Sequence, residues 1–210
     1  MALIFQPNQK LVFAGDSITD CGRRAQFAPL GNGYVREVYV WLGAAHPELN
    51  LTIVNQGIGG DTTRTLLARW DSDVIGQQPD WLAIKIGVND VWRIVAERTA
   101  EAVPLDEFER NYRAMLDQTR AATKAGLILI EPFLVETDRG DLFRRLLDDY
   151  RAVVRRLGEE YGTLLVKTQD AFDHGLCAQP AGYWARDRVH PTEIGHALIA
   201  REFLARCGVG

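Results

Sequence analysis

The sequence predicts an α/β fold: a three-layer α/β/α sandwich around a central parallel sheet of about five strands. Three observations predict it. Short, near-continuous apolar runs recur along the chain, as parallel strands covered on both faces require. Amphipathic helical stripes lie between them. Strands of one sheet joined through helices imply right-handed crossovers, which place helices on both faces.

Lys10-Leu11-Val12-Phe13-Ala14 reads as the first strand, Asn50 to Val54 as the second and Trp81 to Ile86 as the third. Leu127 to Ile130 and Leu164 to Val166 supply the fourth and fifth. Tyr34 to Ala45 and Thr62 to Ile75 carry helical patterns. From Leu105 to Lys124 the apolar residues Leu105, Phe108, Tyr112, Met115 and Leu116 fall at helical spacing. Pro104 opens this segment, Asp106 and Glu107 occupy its first turn, and Lys124 and Gly126 close it. The stripe from Leu142 to Leu157 is clearer still, and a last helix runs from Thr192 to about Arg206 with His196 on its buried face. These stripes read as core. Lys85 is the exception, a charge inside an apolar strand whose ammonium must snorkel to an edge or meet a carboxylate.

At 210 residues the chain reads as one domain, 1–210, with no repeat, low-complexity tract or linker. An apolar fraction of 47% and a charged fraction of 25% are those of an ordinary soluble protein. The net charge of −4, without a basic run, argues against nucleic acid or an anionic membrane as partner. No apolar stretch approaches the ~20 residues of a membrane span. Met1 to Pro7 lacks the basic and apolar regions of a secretion signal. Cys21, Cys177 and Cys207 are scattered and odd in number, as in a reducing compartment, so the expected location is the cytoplasm. Their spacing matches no metal site.

The chemistry gathers at strand ends. The first strand runs into Gly15-Asp16-Ser17-Ile18-Thr19-Asp20, where parallel sheets place ligand-facing residues. Ser17 reads as a nucleophile there, or Asp16 and Ser17 as the cap of the next helix. After the second strand, Gly57-Ile58-Gly59-Gly60-Asp61-Thr62 lets a backbone amide approach a ligand, or serves as a plain turn. The third strand ends in Gly87-Val88-Asn89-Asp90, and the amide of Asn89 suits an oxyanion donor as well as a turn cap. Late in the chain stands Asp187-Arg188-Val189-His190. Three residues of separation let the carboxylate accept from Nδ1 and leave Nε2 free as a base, or His190 before Pro191 is a plain loop histidine. No phosphate-cradling Gly-Lys-Ser/Thr pattern and no Gly-x-Gly-x-x-Gly is present, which disfavours a nucleotide or flavin site.

Taken in order, Gly-Asp-Ser, Asn-x-Gly, Gly-x-Asn-Asp and Asp-x-x-His resemble the SGNH (GDSL-type) hydrolase superfamily from about Lys10 to Gly195. The resemblance implies a flavodoxin-like sandwich and ester hydrolysis with no metal and no cofactor. It implies Ser17 as nucleophile, His190 as general base and Asp187 as its orienter. The oxyanion hole would comprise the N–H groups of Ser17 and Gly60 with the side chain of Asn89. Residues Gly15 to Arg23 and Asn89 to Arg93 look most like the bacterial intracellular acetylxylan esterases, with Ile18 in place of the usual Leu, a volume-conserving change. The expected partner is a small-molecule ester, an acetylated oligosaccharide; a homo-oligomer is compatible with the sequence. Asp16, Trp92, Tyr183 and Trp184 are the candidate substrate-binding residues. The alternatives are a broad carboxylesterase, a lysophospholipase or a thioesterase, and less favoured a non-catalytic sugar-binding member of the fold.

Overall fold

The computed structural model describes residues 2–209. Its strands are β1 (Lys10–Gly15), β2 (Thr52–Gly57), β3 (Trp81–Lys85), β4 (Gly126–Ile130) and β5 (Leu164–Val166). They form one sheet in the order β2-β1-β3-β4-β5, with every neighbouring pair parallel. The helices are α1 (Ser17–Asp20), α2 (Tyr34–Ala45), α3 (Thr63–Ala68), α4 (Val88–Val95) and α5 (Leu105–Ala122). They continue with α6 (Leu142–Glu160), α7 (Thr168–Leu176), α8 (Ala181–Trp184) and α9 (Glu193–Arg206). One layer pairs α2 with α9, and α9 with α7 and β5; the other pairs α3 with α5, and α6 with both α4 and α5. This is the three-layer α/β/α sandwich the strand and helix patterns predict.

The chain enters the sheet near its middle at β1, moves to the β2 edge, and then crosses back to β3 on the other side. The order therefore reverses between β1 and β3, and open parallel sheets bind ligands at such a switch point. Both strands are sealed. Leu11, Val12, Phe13 and Ala14 are without exposure, as are Leu82, Ala83 and Ile84. Phe13 meets Tyr34 of α2 edge-on at 5.7 Å and lies 5.2 Å from Phe203 of α9. Trp70 is fully buried, and its indole N–H donates to Thr119 Oγ1 of α5 at 3.1 Å.

The elements differ from the sequence reading in three places. The second strand lies two residues later than the Asn50–Val54 run, because its ladder with β1 pairs Lys10 with Thr52 and Gly15 with Gly57. The helix expected from Thr62 to Ile75 is α-helical only over Thr63–Ala68, and continues as a π turn (Trp70–Val74) and a 3-10 turn (Ile75–Gln77). The wide turn carries both Trp70 and Val74 into the core, while Arg69 bends back to the Gln56 carbonyl and Asp61. Finally, α4, α7 and α8 have no counterpart in the sequence reading, being too short to show a full apolar stripe. Among the described residues no helix is long and apolar enough to cross a membrane.

His196 lies on the buried face of α9, as its helical position predicts, and is 6% exposed. Its Nδ1 accepts the Tyr34 N–H at the start of α2 (3.2 Å), which ties α9 to α2. Burial, with the charges of Lys85, Arg186 and His190 adding to it, pushes the imidazole down to about 4. In the unfolded chain a histidine titrates near ~6.5. As pH falls through the window between these values, the unfolded state takes up a proton that the native state resists. Stability falls with it, by up to about 3 kcal/mol. His196→Asn keeps an acceptor for Tyr34 and loses the titration. Urea unfolding should show the stability gap between wild type and this variant narrowing from pH 7.5 to pH 4.5. A constant gap would mean that His196 titrates alike in the folded and unfolded protein.

Candidate active site

Gly15 closes β1 against its neighbour. A Cβ there would stand 2.3 Å from the Lys85 carbonyl and 2.4 Å from Thr19 Oγ1, so only glycine permits the approach. The next residue, Asp16, is extended and caps α1, its Oδ1 accepting the Ile18 N–H at 3.0 Å. Ser17 is thus the first helical residue. The cap reading of this stretch holds, with Asp16 as the cap and Ser17 half-buried behind it.

Ser17 Oγ lies 3.1 Å from His190 Nε2, and His190 Nδ1 lies 2.7 Å from Asp187 Oδ2. The other carboxylate oxygen of Asp187 accepts the backbone N–H groups of His190 (2.7 Å) and Val189 (3.2 Å). Partial burial works to raise the Asp187 carboxyl, but the His190 amide and imidazole and the Val189 N–H outweigh it and hold the group below its ordinary value. The carboxylate therefore stays ionised and selects the tautomer with hydrogen on Nδ1 and a lone pair on Nε2. Between the two, Arg188 adopts a left-handed φ of 72°. Its carbonyl accepts the Val135 N–H (2.8 Å) and its guanidinium meets Glu136 and Asp141 at 2.7 Å, pinning the loop to the segment after β4.

Three residues with a hydrogen-bond donor to spare line the same cavity. Among the described residues, the N–H groups of Ser17 and Gly60 have no acceptor within the chain. Gly60 takes a φ of +84°, a conformation that glycine enters without strain. The neighbouring Gly59 N–H is occupied by the Asp20 carboxylate at 3.0 Å. Asn89, in the first turn of α4, donates one amide hydrogen to the Asp61 carbonyl at 2.9 Å and retains a second. Ser17, Gly60, Asn89 and His190 line a cavity of about 740 Å³.

Of the proposed substrate-binding residues only Trp92 lines this cavity. Asp16 is a correction: it has no exposure, and its carboxylate is turned inward to Lys85. Tyr183 and Trp184 are corrections too, because α8 lies outside the cavity. The Trp184 ring packs where a Cβ on Gly175 would come within 2.7 Å, and meets Phe172 edge-on. Sequence reasoning missed Val95, Phe143 and Val189, which form the apolar part of the wall. Phe143 stands in the α6 stripe and carries the same signal as any core residue. Asp90 was also missed. It is fully buried and accepts from Thr63 N–H and Oγ1, joining α4 to α3, and burial pushes its pKa up to about 7 against those bonds.

A parallel α/β sandwich with a Ser, His and Asp in one row at its switch point defines a class of serine hydrolase. The chain belongs to the GDSL-like lipase/acylhydrolase family, whose pattern matches residues 13–198, and it is a carboxylic ester hydrolase. It is 45% identical over 207 residues to an acetylxylan esterase of Geobacillus stearothermophilus, covering 95% of this chain and 94% of that protein. The crystal structure of an acetylxylan esterase from that organism superposes with a TM-score of 0.92 at 44% identity, covering 97% of this chain and 96% of the other. Catalytic mutants of that esterase, with alanine in place of a serine, an aspartate or a histidine, superpose with TM-scores of 0.92 to 0.93. An alpha/beta hydrolase from the metagenome of Lake Arreo, Spain, reaches a TM-score of 0.93 at 40% identity, covering 99% of both chains.

Lys85 meets a carboxylate rather than snorkelling. Its Nζ stands 3.3 Å from both oxygens of Asp16 and 5.2 Å from the centre of the Phe133 ring, and neither partner is exposed. Burial pulls the ammonium below its ordinary pKa, and the Asp16 charge opposes that. Removing one partner leaves a buried, uncompensated charge, so Lys85→Met should cost ~3–5 kcal/mol in urea unfolding. Adding Asp16→Asn to Lys85→Met removes that charge and should restore a large part of the loss. A double variant no more stable than the single one would show that packing, and not charge, is what Lys85 supplies.

Proposed function

We propose that the chain removes acetyl groups from xylo-oligosaccharides through an acyl-enzyme on Ser17. The reading rests on one row of contacts, Asp187 to His190 at 2.7 Å and His190 to Ser17 at 3.1 Å, in a cavity that Gly60 and Asn89 also line. His190 takes the proton of Ser17 as Oγ attacks the ester carbonyl, and Asp187 balances the imidazolium. The carbonyl oxygen becomes an oxyanion held by the N–H groups of Ser17 and Gly60 and the free amide hydrogen of Asn89. Each such donor is typically worth ~3 kcal/mol in the transition state. The tetrahedral intermediate collapses, the C–O bond to the sugar breaks, and the departing alkoxide takes the proton from His190. Water, losing a proton to His190, then attacks the acyl-enzyme, and acetate leaves as Ser17 is reprotonated.

Two observations support the substrate. The whole chain is similar to an acetylxylan esterase, and the exposed ring of Trp92 lies in the cavity wall, where it can stack on a sugar face. Val95, Phe143 and Val189 favour a second reading, a broad short-chain carboxylesterase for which these side chains form an acyl pocket. The scattered cysteines support a cytoplasmic site of action, which would confine the substrates to soluble oligosaccharides.

Acetate release from acetylated xylobiose should exceed hydrolysis of aryl butyrate and octanoate, and Ser17→Ala should abolish all three while circular dichroism stays unchanged. Faster octanoate cleavage with no release from the sugar would leave only the broad esterase. A folded Ser17→Ala variant that keeps more than a trace of activity would remove Ser17 as nucleophile.

Asn89→Ala should lower kcat by ~10²–10³ with a small change in KM, since its free hydrogen is needed only once charge develops. Steady-state kinetics with 4-nitrophenyl acetate measure this. A raised KM at constant kcat would make Asn89 a ground-state binding residue.

A further inference from the structure

Arg93 lies one helical turn beyond Asn89, on the same face of α4. Its Nη2 donates to the Gly60 carbonyl at 2.9 Å, and Asn89 Nδ2 donates to the next carbonyl, that of Asp61, also at 2.9 Å. Two side chains of one helix therefore grip consecutive peptide groups of the turn after β2. The guanidinium is itself anchored: Nη1 bonds Glu101 at 2.5 Å, and the side chain is only 14% exposed. Trp92 lies beneath, its ring 5.9 Å from the Arg93 guanidinium and 4.9 Å from that of Arg98.

The rest of the turn is held from the other side. The Gly59 N–H is taken by Asp20 and the Asp61 N–H by the Ile58 carbonyl at 3.2 Å. Among the N–H groups of Gly59, Gly60 and Asp61, that of Gly60 alone has no acceptor among the described residues. A glycine at this φ is free to adopt the opposite sign at little cost, and its N–H would swing away. The contact on its carbonyl holds the peptide group that follows, and so the Gly60 Cα that the N–H adjoins.

We propose that Arg93 is a positioning residue for the oxyanion hole, acting through Gly60 rather than on the substrate. The inference rests on the reading of Gly60 and Asn89 as oxyanion donors. It accounts for a charge spent inside the cavity wall on a main-chain carbonyl. Its effect belongs to kcat, because misplacing a donor by about 1 Å can cost ~10²-fold in rate without weakening ground-state binding.

The test uses 4-nitrophenyl acetate with Arg93→Met, Arg93→Lys and Asn89→Ala, with folding checked by circular dichroism. Arg93→Met should lower kcat by ~10–10²-fold and leave KM within about twofold. Arg93→Lys, whose ammonium can reach the same carbonyl, should recover most of that loss. Combining Arg93→Met with Asn89→Ala should cost less than the product of the single losses, since both act on one hole. Should the Met variant not fold, Glu101→Gln loosens the same guanidinium from an exposed position and should lower kcat about threefold, by the same positioning argument. An unchanged kcat in a folded Arg93→Met or Glu101→Gln enzyme, a rise in KM at constant kcat, or strictly multiplicative losses would overturn the inference. Those results in an enzyme that still depends on Ser17 would leave the proposed function standing; loss of the Ser17 dependence would defeat the proposed function instead.

Discussion

A carboxylate and an ammonium share a solvent-free site beneath the serine turn. Asp16 follows directly on β1, Lys85 closes β3, and the register that pairs Gly15 with Lys85 brings the two strand ends together. Two charges taken out of water pay a large desolvation cost, which only a close, well-bonded geometry offsets. The strand ends therefore have little freedom to move apart. Ser17 follows one of them and Asn89 the other, so their separation is set by the pair. Its charges also reach neighbouring groups. Lys85 adds to the depression of His196, and Asp16 adds to the elevation of Asp90, behind the dominant effect of burial in both cases.

Around this fixed point, each loop at the carboxyl end of the sheet is fastened by polar side chains rather than by packing alone. Asp20 holds Gly59, Asn89 and Arg93 hold Asp61 and Gly60, and Asp90 holds the start of α3. The Asp187–His190 loop is the most exposed part, with more than half of each side chain open to solvent, and it compensates with Arg188. Groups that must keep their geometry in an open cleft cannot rely on a hydrophobic seal. Directional bonds to main-chain carbonyls and N–H groups supply the rigidity.

The sandwich, its five parallel strands and the long helices α2, α5, α6 and α9 were legible in the sequence because each is local. Apolar runs and stripes record which face of a segment is buried, and turn residues such as Gly15 and Gly60 record where the chain must bend. Ser17, Asp187 and His190 stood out as candidates for a related reason, since strand ends face the crevice and a spacing of three residues lets an Asp and a His meet, while their roles came from the resemblance. Placement left Asn89 open between a turn cap and an oxyanion donor, and Gly60 was singled out only by the resemblance to a hydrolase superfamily. What one side chain meets across the fold was not legible. Asp16 and Lys85 are 69 residues apart and Ser17 and His190 are 173 apart. Only the tertiary structure turned Asp16 inward to Lys85, set Tyr183 and Trp184 away from the cavity, and brought Phe143 into its wall. It also broke the Thr62–Ile75 helix, where burying Trp70 and Val74 together outweighed regular α-helical turns. Local periodicity specifies which residues are buried, but the partner of a buried charge depends on strand order and register, and those emerge only when the layers close.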